Sequence, residues 1–346
     1  MANKFEAFDG EKVAIIHDSA SSMPDEYRTG YPGLVEVPLK INIDTDEGIS
    51  TIFDNPFESD EEKAEFLRHL NAGQVTTSMP TTEDFIETGE AVLETGITEM
   101  VMIDMTKGTK GPQMSGTIDS ARSAAEVLKN KYKAKVEVFD SKTVSIGQGL
   151  LIAQADQENK EGKFDTAKQL VNRVEELSKG LYLAQAFSDL ERLRKGGRMG
   201  RVASIASVVG GAFNIIPIIG IDEDGDLKAI KKRPGWNQAH KAIVEYVAEG
   251  VASHDPKGKL GNVAVRLGFV HFESDQIVDL RAKAMKRVQQ ETDSDEVKSG
   301  KFRLATNTSG QQLEILDFIE HRTTAAHSGI GVDGFGALVI PEQRTS

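Results

Sequence analysis

Four short clusters of hydroxyl and carboxyl side chains carry the chemistry open to this sequence: Asp18-Ser19, Thr77-Ser78 ahead of Pro80, Ser115 with Thr117, and Asp140-Ser141. Each falls where an apolar run of strand type gives way to a helix-type pattern, so each belongs on a loop between a strand and a helix. In an open parallel sheet such loops gather along one edge. Hydroxyls there, joined by the free N–H groups of helix N-termini, suit an anionic ligand. Ser, Thr and Asp are also ordinary helix caps, so no single cluster identifies a ligand. A second chemistry is open at the same edge, with Asp18 as the base of a phosphotransferase or hydrolase acting on a small polar metabolite.

A fifth cluster is basic. Arg194-Lys195-Gly196-Gly197-Arg198-Met199-Gly200-Arg201 sets cations among glycines in an acidic chain. Glycine lets the backbone approach an anion closely, and guanidinium supplies a planar fork of donors. A solvated basic loop is the plainer alternative. Of the seven histidines, His327 is followed by glycines and could donate to a buried carboxylate or phosphate. Gly329-Ile330-Gly331-Val332-Asp333-Gly334 matches the dinucleotide fingerprint in letters, but it leads into a strand pattern where the fingerprint opens a helix. No nucleotide cofactor is expected. The G-x-S-x-G elbow, the H-E-x-x-H pair and the phosphate loop ending in G-K-[ST] are all missing. With no cysteine and no histidine–carboxylate pattern, no metal site is expected either.

These loops need strands and helices to hold them, and the pattern supplies both. Val13–Ile16 reads as a strand, and 35–39 with 41–43 as a second strand pair. Helices are expected over 59–70 and from Thr82, with the Thr76–Thr82 stretch as an interruption before the second. Met100–Ile103 lacks alternation and reads as a buried strand. A helix follows Ser115-Gly116-Thr117, then a strand at Val136–Phe139 and a helix over 150–159 opened by Gly147-Gln148-Gly149. Further on come a helix to Lys179, a strand over 181–187, a hairpin of 215–219 with 227–232 turning at Asp222–Asp226, a helix over 237–251, a strand over 262–269, a helix over 274–290 and a strand over 336–340. Repeated β–α alternation argues for a parallel sheet covered by helices. The polar stretch Glu161–Asp165 suggests a boundary, giving residues 1–163 as an N-terminal α/β domain and 164–346 as a C-terminal α/β domain.

The 346 residues are 39% hydrophobic, which excludes wholesale disorder. Forty-one Lys and Arg against 54 Asp and Glu leave a net charge of −13. Such a chain repels phosphate backbones, and nucleic acid is not an expected partner. The absence of cysteine fits a reducing, cytoplasmic location. The acidic opening residues lack the basic start and apolar run of a secretory signal. The one long uncharged stretch, 202–221, contains Gly210, Gly211, Asn214 and Pro217, so no integral membrane segment is expected.

Taken in order, the motifs resemble those of the DegV family of bacterial fatty-acid-binding proteins. The stretch from Ile16 to Pro24 resembles the family's opening T-D-S-T-A-D-L-P, and Thr77-Ser78-Met79-Pro80 resembles T-S-Q-P. Ser115-Gly116-Thr117 resembles S-G-T. The 190–199 stretch is close to L-x-x-L-x-K-G-G-R-I, the most specific piece. Phe213–Pro217 resembles L-N-I-K-P, and His327–Gly331 resembles H-T-G-P-G. The resemblance runs nearly end to end. It implies a two-domain α/β fold, an N-terminal parallel sheet flanked by helices plus a C-terminal mixed domain, with a long-chain fatty acid between them. It implies no catalysis by the chain itself: the lipid's carboxylate is presented to an ATP-binding fatty-acid kinase subunit, which forms the acyl phosphate. Carried over residue by residue, Thr77, Ser78, Ser115, His327, Asp18 and Ser19 would line the head-group site, and Arg198 and Arg201 would face the kinase. The sequence departs from the family where Gly111 and Pro112 align with a pair of serines, where Met79 replaces glutamine, and where Ile330 replaces proline.

Overall fold

The computed structural model describes residues 11–24, 27, 33–54, 69, 74–109, 114–187, 215–254, 263–270, 302–304, 313–321 and 332–341. Arg198, Arg201, His327, Gly111, Pro112 and the expected helix over 274–290 lie outside them, as does nearly all of the one over 59–70.

In chain order the strands of the first half are β1 (Val13–Asp18), β2 (Leu34–Val37), β3 (Lys40–Thr45), β4 (Gly48–Phe53), β5 (Val75–Ser78), β6 (Glu99–Asp104) and β7 (Lys135–Asp140). Its helices are α1 (Thr82–Glu94), α2 (Thr117–Tyr132), α3 (Ile146–Lys160) and α4 (Ala167–Ser178). Then follow β8 (Leu181–Phe187), β9 (Ile215–Ile221), β10 (Leu227–Pro234), α5 (Gly235–Ser253), β11 (Val263–Val270), β12 (Phe302–Leu304), β13 (Leu313–His321) and β14 (Val332–Pro341).

The first sheet is parallel, in the order β2-β1-β6-β7. Every residue of β1 and β6 is buried, as their unbroken apolar runs require when both faces are covered. Alternation divides the work. Ala14, Ile16, Met100 and Met102 pack with Phe85 and Val92 of α1 and Ala121, Ala124 and Leu128 of α2. Val13, Ile15, Val101 and Ile103 face the other way, onto α3 and α4. The same cluster continues through α3 to Phe187, Ile219, Leu338 and Ile340 of a second, mixed sheet ordered β10-β9-β8-β14-β11-β13-β12. The far face of that sheet is covered by Ala239, Ile243, Val247 and Val251 of α5. The described residues thus stack as helix, sheet, helix, sheet, helix, with α3 as the middle layer.

That position explains why α3 differs from the pattern. Thirteen of its fifteen residues are buried, so it has no polar face for periodicity to reveal. The glycines expected to precede it lie inside its first turn. A glycine there costs up to about 1 kcal/mol of helix propensity, but a Cβ on Gly147 would strike Thr143 and Leu183, so only glycine lets the helix seat.

The pair expected over 35–43 is not a pair. β2 joins the parallel sheet, whereas β3 turns away to form a separate antiparallel sheet, β4-β3-β5. Pro38 has no N–H to continue a ladder, and the Leu39 N–H is taken by the Ser19 hydroxyl. The expected interruption after residue 75 is strand β5, and β4, which is not among the expected strands, has all six of its residues exposed, Ile49 and Phe53 among them. The hairpin at 222–226 forms as expected between β9 and β10. Among the described residues no helix is long and apolar enough to cross a membrane.

Candidate functional site

Parallel pairing brings the C-terminal ends of β1, β6 and β7 to one edge, where two of the sequence clusters, Asp18-Ser19 and Asp140-Ser141, stand at the ends of their strands. Asp18 ends β1 and is fully buried. Its carboxylate accepts hydrogen bonds from the Ala20 N–H (2.8 Å), the Met105 N–H (2.7 Å) and the Gln148 side-chain amide (3.3 Å). Burial pushes its pKa up to about 6, the three donors pull against that rise, and the nearby Glu36 adds to it. Ser19 is equally buried: its hydroxyl donates to Asp54 (2.8 Å) and accepts from the Leu39 N–H (3.0 Å). Both residues therefore hold the protein's own backbone at this edge.

Two further pieces converge in front of them. Ser115 and Thr117 share a hydroxyl–hydroxyl hydrogen bond of 2.7 Å at the start of α2, whose N-cap, Gly116, has no side chain to cap it. A Cβ on Gly116 would come 2.7 Å from the Met79 sulfur, so the segments 77–80 and 115–117 lie against each other. Within β5 the strand period sends neighbouring side chains to opposite faces. Thr77 is half-buried opposite Ile41 in the ladder, on the face where Ile41 and Ile43 are buried. Ser78 is exposed on the other face, where the Asn42 amide donates to its hydroxyl at 2.6 Å. Met79 stands where the family pattern has glutamine, and its thioether makes the contact with α2.

The second sheet reaches the same edge through its β9–β10 turn. Gly225 there has φ +81°, and a Cβ on it would strike the Thr106 hydroxyl. Asp226 accepts from the Thr109 N–H at 3.3 Å. The turn is thereby seated on the loop between β6 and α2.

Three residues at this edge escaped sequence reasoning. Ser145 precedes α3 with φ 54° and ψ −131°, a backbone state that L-residues rarely adopt. Its N–H donates to the Ala20 carbonyl, and its hydroxyl accepts from the Gln185 amide of β8 at 3.1 Å, tying the two large sheets together. Gln148 donates to both Asp18 and the Ile103 carbonyl (3.1 Å). Asp104, at the end of β6, is fully buried; burial first, and then the Asp18 charge beside it, hold its pKa well above the usual carboxylate range. The S-x-G-x-G spacing of Ser145 to Gly149 was the available signal for the first two. Asp104, one residue past the Met100–Ile103 run, carries no such signal.

Residues 12–308 match the family model described as "Uncharacterised protein, DegV family COG1307". A DegV domain-containing protein of Caldanaerobacter subterraneus is 32% identical over 238 residues, 68% of this chain and 77% of that protein. One from Clostridium perfringens is 31% identical over 271 residues, 78% and 86% of the two chains. Among solved structures, a fatty-acid-binding DegV family protein from Thermus thermophilus superposes with a TM-score of 0.70 at 21% identity, covering 95% of this chain and all of that one. The Streptococcus pneumoniae fatty acid kinase B3 protein, loaded with linoleic acid, gives 0.66 at 17% identity, covering 94% and 98%. At these identities the likeness to the solved structures is one of fold.

Proposed function

The chain belongs to the DegV family, and from that footing we propose that it binds one long-chain fatty acid between residues 1–163 and 164–346 and presents the carboxylate to an ATP-dependent kinase subunit. The observation that carries this reading is the meeting of the 77–80 and 115–117 segments through Met79 and Gly116 at the sheet edge. It brings the end of β5, the strand that carries the Thr77 hydroxyl, against the start of α2, whose N-cap glycine has no side chain, a suitable arrangement for a carboxylate. The Thermus and Streptococcus proteins named above, one fatty-acid-binding and one loaded with linoleic acid, support the choice of ligand.

The physics of such a ligand is undemanding at the head. A chain of about 16 carbons gains on the order of 10 kcal/mol from buried methylenes at ~0.8 kcal/mol each, less the cost of association. A few hydrogen bonds then suffice to orient the carboxylate. Thr77 takes this role with the Ser115–Thr117 pair and His327, while Ser78, on the opposite face of β5, contributes less. Asp18 and Ser19 position the edge and do not touch the lipid. Arg198 and Arg201 face the kinase. The chain turns nothing over by itself; acyl phosphate forms when the partner transfers phosphate to the presented carboxylate. The metabolite-enzyme reading needs Asp18 free as a base, and its oxygens already accept three hydrogen bonds.

Extraction of the purified protein with organic solvent, followed by mass spectrometry, tests the reading. One long-chain fatty acid per chain is expected. Recovery of a nucleotide or sugar phosphate with no acyl chain would overturn it.

A further inference from the structure

Asp18 and Asp104 end adjacent parallel strands. The register that pairs His17 with Ile103 sets the two carboxyl groups side by side, and both are entirely buried. Their roles differ. Asp18 is supplied with three donors, whereas among the described residues Asp104 is approached by Asp18 itself and by no other donor, and the carbonyl oxygen of the Gln148 amide has no partner there either. The charged groups that approach the pair from neighbouring strands are acids, Glu36 of β2 and Asp140 of β7. The α3 helix offers neutral Gln148, the His17 ring is engaged with Ser21 and the Asp18 carbonyl, and Lys107, three residues past Asp104, is paired with Asp119 at 2.6 Å.

Two like charges cannot both persist in such surroundings. We propose that Asp104 is kept as a neutral carboxylic acid donating its proton to ionised Asp18, and that this pair is the positioning clamp from which both arms of the head-group edge hang. One arm starts at the Met105 N–H on Asp18 and runs to Ser115 and Thr117. The other starts at Ala20, also on Asp18, passes through Ser19 to the Leu39 N–H, and continues into β3, which pairs with β5 and Thr77. With the proton in place the contact is a charge-assisted O–H to carboxylate hydrogen bond. Loss of the proton leaves two buried anions pushing the arms apart. The consequence for the lipid rests on the function proposed above; the clamp itself does not.

An acid whose folded pKa lies above its unfolded value stabilises the fold least at high pH: its contribution is intact below the unfolded value and is lost as pH rises toward the folded one. Wild type and Asp104→Asn, whose amide can donate to Asp18 at every pH, are unfolded in urea from pH 7 to pH 9, above the value of about 6 to which Asp18 is raised, in chelator and without added metal. The ratio of the two folding constants is expected to shift in favour of Asp104→Asn by up to about tenfold per pH unit, the slope of one proton. Bound lipid, measured by extraction, should be lost from wild type at the alkaline end and retained by the variant. Parallel slopes for the two proteins would overturn the clamp. So would a wild type whose stability rises with added Ca²⁺, Mg²⁺ or Mn²⁺ while Asp104→Asn does not respond, which would assign the Asp104 oxygens to a cation. Should Asp104→Asn fail to fold, Asp18→Asn tests the pair from the other side: burial still raises Asp104, but without the Asp18 charge the alkaline loss of stability must be smaller than in wild type, and an equal loss would overturn the clamp. A protein that shows the slope but carries no lipid at any pH leaves the clamp standing and overturns the fatty-acid reading alone.

Discussion

The two ends of α3 bury acids at similar depth and treat them in opposite ways. At its C-terminal end Glu158 is held by Arg173 through two hydrogen bonds of 2.8 Å, Arg173 also reaches Glu176 at 2.6 Å, and Lys160 pairs with Asp156 at 2.7 Å. At its N-terminal end Gln148 meets Asp18, beside which Asp104 lies, and for this pair neutral donors and a proton stand where the other end has guanidinium and ammonium. A buried charge with a fixed counter-ion gives a rigid anchor that fails badly when one partner is removed. A buried acid without one leaves the edge adjustable. The helix is fastened at the end remote from the candidate site and left tunable at the end that supports it.

Four experiments would break or sharpen that contrast. The largest effect is expected at the fastened end: Arg173→Met should destabilise the fold by about 3–5 kcal/mol, because Glu158 stays buried without its partner. Urea denaturation measures it, and lipid bound per folded chain should not change. A smaller loss, about 2 kcal/mol, is expected for Gly225→Ala, which forces a Cβ into a left-handed backbone and against Thr106. Because that turn sits on the tunable end, lipid should also exchange faster, as a fluorescent fatty acid would report. Thr77→Val deletes one hydroxyl with little change of shape and should weaken fatty-acid binding about tenfold, ~1.4 kcal/mol. Ser78→Ala should leave the affinity within twofold or so, since a single exposed neutral hydrogen bond is worth little. A larger effect of Ser78→Ala than of Thr77→Val would mean that β5 faces the ligand the other way round.

Glu11, at the fastened end, qualifies the contrast. Burial, reinforced by Asp156 and opposed by Lys160, pushes its pKa up to about 8 from 4.5. The sign is that of a raised acid: its destabilisation grows from pH 4.5 and is complete above pH 8. Glu11→Gln should therefore raise stability at pH 9 by about 1 kcal/mol once solvent screening is allowed for, and should do nothing at pH 4. A gain comparable to that of Asp104→Asn would erase the distinction between the two ends.

Much of this was present in the order of the residues. The apolar runs at Val13–Ile16 and Met100–Ile103 announce strands covered on both faces, the alternation with helices announces a parallel sheet, and Asp222–Asp226 announces a hairpin turn. These features rest on local spacing, which a linear chain displays. The family was legible for the same reason, since its motifs are short and contiguous. What the sequence could not display was who stands beside whom. The Asp18 carboxylate meets a backbone N–H 87 residues away, and Asp104 becomes its neighbour only through the register of β1 on β6. Thr77 and Ser78 look equivalent in the chain and are divided by the face of a sheet whose central strand, β3, turned away from β2 at Pro38. The α3 helix shows no amphipathic stripe because sheets cover it on two sides. Burial, register and facing are properties of contacts between distant segments, and only the tertiary structure decides them.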